Sequence, residues 1–371
     1  MANSFSTIQH IARLALPHLI DNLVFPNLIH RDLSTEYNLE RGATIRVRKP
    51  VVYEAQEFDP DAGVMTQELN EGTVDVTLDK IASVDIEVGA LESATSFDSL
   101  ERLFVKPAAE AIAQKINADG LGLYKDVAAS VGTAGTTPST LEDLASVRLA
   151  LNTARVPVSP RRAVWDPSAD AAFTTLPALV NAEKSGATTA LREGSIGRVF
   201  GMDNYMSQAV RTHETAITQA TGLTTTGSTA AGATKVSIKG SALAGKFVAG
   251  DLLLIGGRSY TVVSDSATAS SNAIASVEIS PAVDKTLADG TAVEFMGAHT
   301  ANLAFHPNAF AFVSRPLVAP AGVESYTTSY NGVSLRVVRG YDMIFKREML
   351  SMDVLYGYKT IYPELAVRCL G

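Results

Sequence analysis

The chain carries 371 residues, 31 basic and 39 acidic, for a net charge of −8, and 46% are apolar. That composition supports a sizeable buried core and excludes intrinsic disorder, and the length corresponds to roughly two domains. The single cysteine, Cys369, excludes an internal disulfide framework and any cysteine-ligated zinc or iron–sulfur centre. No uninterrupted apolar run reaches about 18 residues, so no membrane span is expected. Met1-Ala2-Asn3-Ser4-Phe5 lacks the basic start and apolar stretch of a secretory leader, so residence in a reducing cytoplasm is expected. The acidic balance argues against a general nucleic-acid binder, whose phosphate contacts come chiefly from Lys and Arg.

Residues 1–40 carry little regular pattern. Pro17 and Pro26 interrupt apolar stretches at 11–20 and 23–29, and either short helices or an extended arm would fit. A segment of this kind buries little within its own chain and must lie on something, a neighbouring molecule being its natural support. Residues 43–53 read as a strand, with Arg46 and Arg48 alternating with Ile45 and Val47. A second alternating run holds Asp75 and Asp79, and a third spans 84–88. Antiparallel pairing of the first two sets opposite charges across from one another, worth roughly 0.2–1 kcal/mol per pair. The connection 54–71 holds Glu54, Glu57, Asp59, Asp61, Glu68 and Glu71 and no Lys or Arg. It reads as the acidic tip of an extended hairpin, with a solvated surface flap as the alternative.

Asp98 and Glu101 stand at cap-plus-three spacing, and Leu100, Leu103, Phe104, Ala108, Ala111, Ile112 and Ile116 follow helical spacing. The pattern predicts a helix of roughly 30 residues, about 45 Å long, reaching Ala129 and kinked or split at Pro107. Ser139 and Glu142 form a capping box ahead of Leu141, Leu144, Val147 and Leu151. Asp166 followed by Pro167 starts a further helix, and the region up to about 215 reads as mixed α/β.

Composition shifts to Thr, Ser, Ala and Gly over 219–297. Short apolar runs at 235–238, 251–255, 259–263, 276–279 and 292–295, with a Gly256-Gly257 turn between two of them, predict a small all-β module. Its edges fall in polar stretches, as for a domain inserted into a host fold. Residues 303–313 are apolar, Asn331-Gly332 joins two strand-like runs as a hairpin, and the tail holds Tyr356, Tyr358 and Tyr362.

Motifs for chemistry are sparse. The six histidines, at 10, 18, 30, 213, 299 and 306, form no metal-ligand pair and read as surface or satisfied core residues. Asp59-Pro60-Asp61 lacks the glycine and final Glu of a calcium loop. No phosphate-cradling glycine loop and no nucleophile elbow occurs. No catalytic, cofactor-binding or metal-binding residue is therefore assigned, and no cofactor. Arg161-Arg162, before Ala163-Val164-Trp165, reads as solvated structure or as an interface contact.

The order of parts nonetheless resembles one known group. The likeness lies in Gly250-Asp251-Leu252-Leu253-Leu254-Ile255-Gly256-Gly257, in Asn302-Leu303-Ala304-Phe305-His306-Pro307, and in the stretch from Tyr326-Thr327-Thr328-Ser329-Tyr330 to Tyr356-Gly357. The chain resembles a tailed-bacteriophage major capsid (coat) protein of the Hong Kong 97-type fold, within the coat group that carries an inserted β-barrel domain. The resemblance implies an α+β fold and a structural protein rather than an enzyme. It implies an N-terminal arm (1–40), an E-loop hairpin with adjoining strand (41–90) and a peripheral domain with spine helix (91–138 and 323–371). An axial domain (139–218 and 298–322) and the inserted β-barrel (219–297) would complete it. The expected partners are further copies of the chain, in hexamers and pentamers that close an icosahedral shell, with a scaffolding protein and a portal during assembly. A decoration protein is an optional further partner. The shell would enclose dsDNA without sequence-specific binding, as part of a virion capsid assembled in the host cytoplasm, with no membrane. Inter-subunit contact is expected between Glu57, Asp59, Asp61 or Glu68 and a neighbour's Arg161, Arg162, Arg336 or Arg339. The alternatives are a capsid-like cellular compartment protein, or a phage tail or adhesin protein.

Overall fold

The computed structural model describes residues 8–31, 44–48, 73–89, 105–181, 193–320, 322–342 and 347–371. They fall into two units. One gathers the described residues within 1–18, 31–109 and 311–361, the other those within 19–30, 110–310 and 362–371. The acidic stretch 54–71 lies outside the described residues, as does the Asp98–Glu101 helix start.

The N-terminal segment takes the helical one of its two expected forms. It forms a helix, Ile8–Asn22, and a short one, Phe25–Leu28. Ile11, Ala12, Ala15, Leu16, Leu19, Ile20 and Leu23 recur at three- and four-residue spacing and are all buried. An arm that buries little of its own chain is therefore not what residues 8–31 form. Pro17 sits inside the first helix, and both it and Arg13, whose carbonyl loses a donor, are exposed, so water can replace the missing bond.

The first unit holds a five-stranded sheet. Glu324–Tyr330, Val333–Asp342 and Arg347–Thr360 run antiparallel in sequence, and Lys80–Gly89 and Phe310–Arg315 both pair with Arg347–Thr360. Asn331 and Gly332, at φ 51° and 74°, turn the first hairpin, with Tyr330 opposite Val333. Leu335, Val337, Leu350, Met352 and Val354 supply buried apolar side chains, and Phe312 lies 5.0 Å from the Tyr358 ring. Thr44–Arg48 pairs antiparallel with Thr73–Thr77 in the register that sets Arg46 opposite Asp75, as the charge pattern predicts. The end of that pair runs against Gly357, where a Cβ would come 2.2 Å from the Thr77 carbonyl oxygen.

The second unit is built on a seven-stranded mixed sheet. Its order is Ser130–Val131, Ala366–Leu370, His299–Phe305, Arg161–Trp165, Met202–Met206, Arg198–Val199, and Thr212–His213 also pairs with His299–Phe305. Arg161–Trp165 and Met202–Met206 are parallel, with Pro167–Thr174 in the crossover. Asp166 caps that helix, accepting from the Ser168 N–H at 3.0 Å with Pro167 at the first position, as its sequence predicts. Leu141–Thr153 buries Leu144, Val147 and Leu151 on this sheet with Trp165 and Val367. Its capping box sits one residue later than read from the sequence: Thr140 and Asp143 bond reciprocally. Phe25 is fully buried with its ring 5.5 Å from Phe305 and 5.7 Å from Phe310. The side-chain oxygen of Asn117 accepts from the N–H groups of Val24 and Phe25, and its amide donates to the Asn22 carbonyl.

The long predicted helix ends earlier than expected. Among the described residues the α-helix runs Lys106–Leu121 and then tightens into a 3-10 turn, Gly122–Asp126, short of Ala129. Gly120 and Gly122 weaken the α-helix at that point.

Six short strands from Thr224–Thr225 to Val293–Met296 form the β module, in the order Thr224–Thr225, Lys235–Lys239, Ala273–Ser280, Arg258–Val262, Leu252–Ile255, Val293–Met296. The sheet closes on itself: Thr224 bridges Ala292, and the Val293 N–H donates to the Leu223 carbonyl at 3.0 Å. Gly256 and Gly257, at φ 58° and 85°, make the predicted two-residue turn. Val236, Ile238, Phe247, Leu253, Tyr260, Val262, Val277 and Ile279 fill its core. Ala216–Thr221 pairs with Ala242–Lys246, so the strands begin a few residues before the compositional boundary at 219.

Two outcomes follow from this packing. Phe25→Ala removes a ring from a dry cluster and is expected to cost about 3–5 kcal/mol in urea unfolding of the full chain. Residues 215–297 expressed alone should give a dispersed, strand-rich NMR spectrum; a collapsed spectrum would show that this core does not hold by itself.

Candidate functional site

Polar side chains that the second unit buries converge where the barrel meets the strands His299–Phe305 and Ala366–Leu370. Every residue of Ala366–Leu370 is buried, and Arg368 at its centre is 0% exposed. Its Nη1 donates to the Gly250 carbonyl at 2.8 Å and to His299 Nε2 at 3.3 Å. Its Nη2 donates to the Tyr124 carbonyl and, at 3.0 Å, to that of Val127. The 3-10 turn turns these two carbonyls inward, and the guanidinium lies 4.9 Å from the Tyr124 ring. Burial lowers Arg368 to about 9, so it still carries its charge at neutral pH.

A second chain of contacts crosses the same place. Tyr124 Oη lies 2.9 Å from His213 Nδ1, and His213 Nε2 lies 2.8 Å from Asp251 Oδ1. The other Asp251 oxygen accepts from the Val248 N–H at 2.8 Å. A carboxylate only accepts, so Nε2 of His213 donates, and a neutral ring then offers Nδ1 to the phenol. Thr261 Oγ1 adds a bond from the barrel to the Lys125 carbonyl at 2.7 Å. Gly250 is required at this joint: at φ +100° its absent Cβ would meet Lys125 Cγ at 2.7 Å and His213 Cε1 at 3.2 Å.

Carboxylate, imidazole and hydroxyl in sequence are the parts of an activated nucleophile, but the environment opposes that use. Tyr124, His213 and Asp251 are 3%, 2% and 0% exposed, so a substrate cannot touch them. Burial raises the Tyr124 phenol above its ordinary value, which keeps the proton on oxygen. The arrangement is a joint between two substructures. Among the described residues no group of three or more His, Cys, Asp or Glu is placed to hold a metal, and no helix is long and apolar enough to cross a membrane.

An open groove of about 820 Å³ lies beside the joint, between the helix Leu141–Thr153 and the Gly257–Ser259 end of the barrel hairpin. Ala128, Val131, Leu149, Ala150 and Pro281 line it, with Asp126 and Glu364 as acidic groups. Leu149 is 66% exposed there, an apolar side chain presented to whatever lies outside.

The predicted contact residues are scattered. Glu57, Asp59, Asp61 and Glu68 lie outside the described residues. Arg161 is 2% exposed and engaged within its own unit, donating to the Pro157 carbonyl, Asn152 Oδ1 and the Val156 carbonyl. Arg162 points the other way, with Nη1 3.4 Å from the Asn27 carbonyl. Arg336 pairs with Asp353 at 2.6 Å and donates to the Val318 carbonyl. Arg339 stands opposite Glu324 and Leu350 in the sheet register. The joint of Tyr124, His213, Asp251, His299 and Arg368 was not legible as a site: 244 residues separate Tyr124 from Arg368, and no spacing links them. The one usable hint was Gly250-Asp251, a flexible residue beside a carboxylate at a strand start.

No family model matches the chain, and no curated protein sequence matches it. Solved structures do. A chain of Mycobacterium phage Che8 shares its fold, with a TM-score of 0.52 and 16% identity over 94% of this chain and 90% of the other. A capsid structure of the cyanophage P-SCSP1u matches at a TM-score of 0.48 and 10% identity over 90% and 84%. A virus-like particle from Pyrococcus furiosus matches at 0.42 and 10% over 97% and 98%. The chain is thus similar in fold to a chain of a mycobacteriophage.

The joint generates a paired test. Gly250→Ala and Gly257→Ala both place a side chain at positive φ, but only the first meets neighbours. Gly257→Ala is expected to cost about 1–2 kcal/mol from backbone strain alone, and Gly250→Ala more than that, read as urea midpoints of the full chain.

Proposed function

We propose that this protein is the major capsid protein of a tailed bacteriophage, with the Hong Kong 97-type layout, and that copies of it close into hexamers and pentamers around a dsDNA genome. In this reading the Thr44–Arg48 and Thr73–Thr77 pair is the base of the E-loop. The helix Lys106–Leu121 belongs to the spine, the closed barrel is the inserted domain, and the seven-stranded sheet carries the axial domain. The observation that carries the reading is a fold likeness running over nine-tenths or more of both this chain and the Che8 phage chain. The buried polar groups support a structural role, since Tyr124, His213 and Asp251 are spent on a closed joint. A scaffolding protein, a portal and an optional decoration protein complete the proposed partners, and the assembled shell is proposed to form in the host cytoplasm.

Purified protein examined by negative-stain microscopy, alone and with a scaffold candidate, should show closed shells or ring-shaped capsomers. A stable monomer under both conditions, or open tubes, overturns the proposal.

The acidic stretch 54–71 is proposed to lie on a neighbouring subunit. Arg161 and Arg336 already spend donors within their own units, and Arg162 Nη1 lies 3.4 Å from the Asn27 carbonyl. Each exposed pair contributes about 0.2–1 kcal/mol, repeated at every subunit of a closed ring. Replacing Asp59, Asp61 and Glu68 by Asn, Asn and Gln should lower shell resistance to denaturant and flatten its salt dependence, with the melting of unassembled subunit unchanged. Shells as resistant as wild type at low and high salt would reduce the stretch to a solvated flap.

A further inference from the structure

One side-chain nitrogen at the buried joint serves two masters. Arg368 Nη1 bonds the barrel through the Gly250 carbonyl at 2.8 Å and simultaneously contacts His299 Nε2 at 3.3 Å. His299 is 1% exposed and begins the strand that follows the barrel. Its Nδ1 lies 2.8 Å from the Gly297 carbonyl, which can only accept, so Nδ1 carries the proton and Nε2 presents its lone pair to the guanidinium. The contact therefore requires a neutral ring. A proton on Nε2 would place two donors and two positive charges face to face in a site buried from solvent.

We propose that Arg368 and His299 form an acid-sensitive latch, holding the barrel against the sheet while His299 is neutral and releasing the Gly250 carbonyl when His299 takes a proton. The surroundings give the added charge little relief. From the 3-10 turn the site faces Tyr124, Lys125 and Asp126; from the Thr212–His213 strand, His213 and Arg211; from the barrel, Asp251; and from its own sheet, Arg368. Asp251, a nearby carboxylate, already accepts from His213 and from the Val248 N–H, and the His213 ring lies 5.3 Å from that of His299.

The direction of the pH effect follows from burial. Desolvation lowers His299 to about 4, with Arg368 and His213 pushing the same way and the Gly297 carbonyl opposing. In an opened joint the ring returns to its ordinary 6.5. The open state then binds the extra proton between these values. The latch is at full strength above about 6.5, and its opening equilibrium rises up to tenfold for each pH unit below that, until about pH 4.

Hydrogen exchange on the full chain reads this directly, after correction for the intrinsic pH dependence of exchange. The N–H groups of Arg368, Val127 and Gly250, bonded to the carbonyls of Ala129, Tyr124 and Val262, report on the joint. Ile279, bonded to Thr234 inside the barrel, is the control. From pH 6.5 to 5, protection at the joint should fall about 15-fold while the control holds. His299→Gln, which keeps an acceptor and a donor but takes no proton, should flatten that slope. Joint protection that is flat with pH in the wild type, or a slope that persists in His299→Gln, overturns the proposal. Where that variant does not fold, the His299 ring signal of the wild type decides: titration well below 6.5 supports the latch, and titration near 6.5 overturns it.

Discussion

A charged guanidinium buried without exposure is the constraint around which the second unit is arranged. Taking such a group out of water is costly unless its donors are met, and Arg368 meets the four of its two terminal nitrogens with three main-chain carbonyls and an imidazole, while its Nε has no partner. Those acceptors come from the end of the long helix, from the barrel and from the strand His299–Phe305. The charge can be tolerated only if all three arrive in register. The 3-10 turn at Gly122–Asp126, the absent side chain at Gly250 and the tautomer of His299 are then consequences of one requirement.

What was legible in the sequence was local. Gly256-Gly257 and Asn331-Gly332 demand positive φ at adjacent positions, and two-residue turns result at both. Asp166-Pro167 caps a helix because both residues act on the same first turn. Arg46 falls opposite Asp75 because strand alternation carries charge pattern directly into register. The barrel's strands were legible for the same reason, each short run being bounded by turn residues. Its closure was not, since the bridge from Thr224 to Ala292 joins residues that share no local pattern.

A proline on the wet side of a helix costs one bond that water can replace, and the buried spacing from Ile11 to Leu23 runs through Pro17, where the sequence alone suggests an interruption. A residue's intrinsic preference does not say which face of the helix will be buried. The histidines show the complementary limit. His213 and His299 looked unremarkable because their partners, Tyr124, Asp251 and Arg368, are brought to them only by the folded sheet.

The barrel and the sheet beside it have separate apolar cores, one around Phe247 and Tyr260 and the other around Trp165 and Phe173. Between them run directional contacts: Arg368 to Gly250, His213 to Asp251, and Thr261 to Lys125. The distinction matters for how the unit can move. Apolar contact is non-directional and yields gradually, whereas a set of hydrogen bonds to a buried charge is satisfied in one arrangement and penalised in its neighbours. Such a joint holds the barrel at a defined angle while either core stays intact if it opens. In the proposed shell, where a subunit presents the same surface to every neighbour in a ring, that rigidity would be needed, and a polar joint supplies it without enlarging either core.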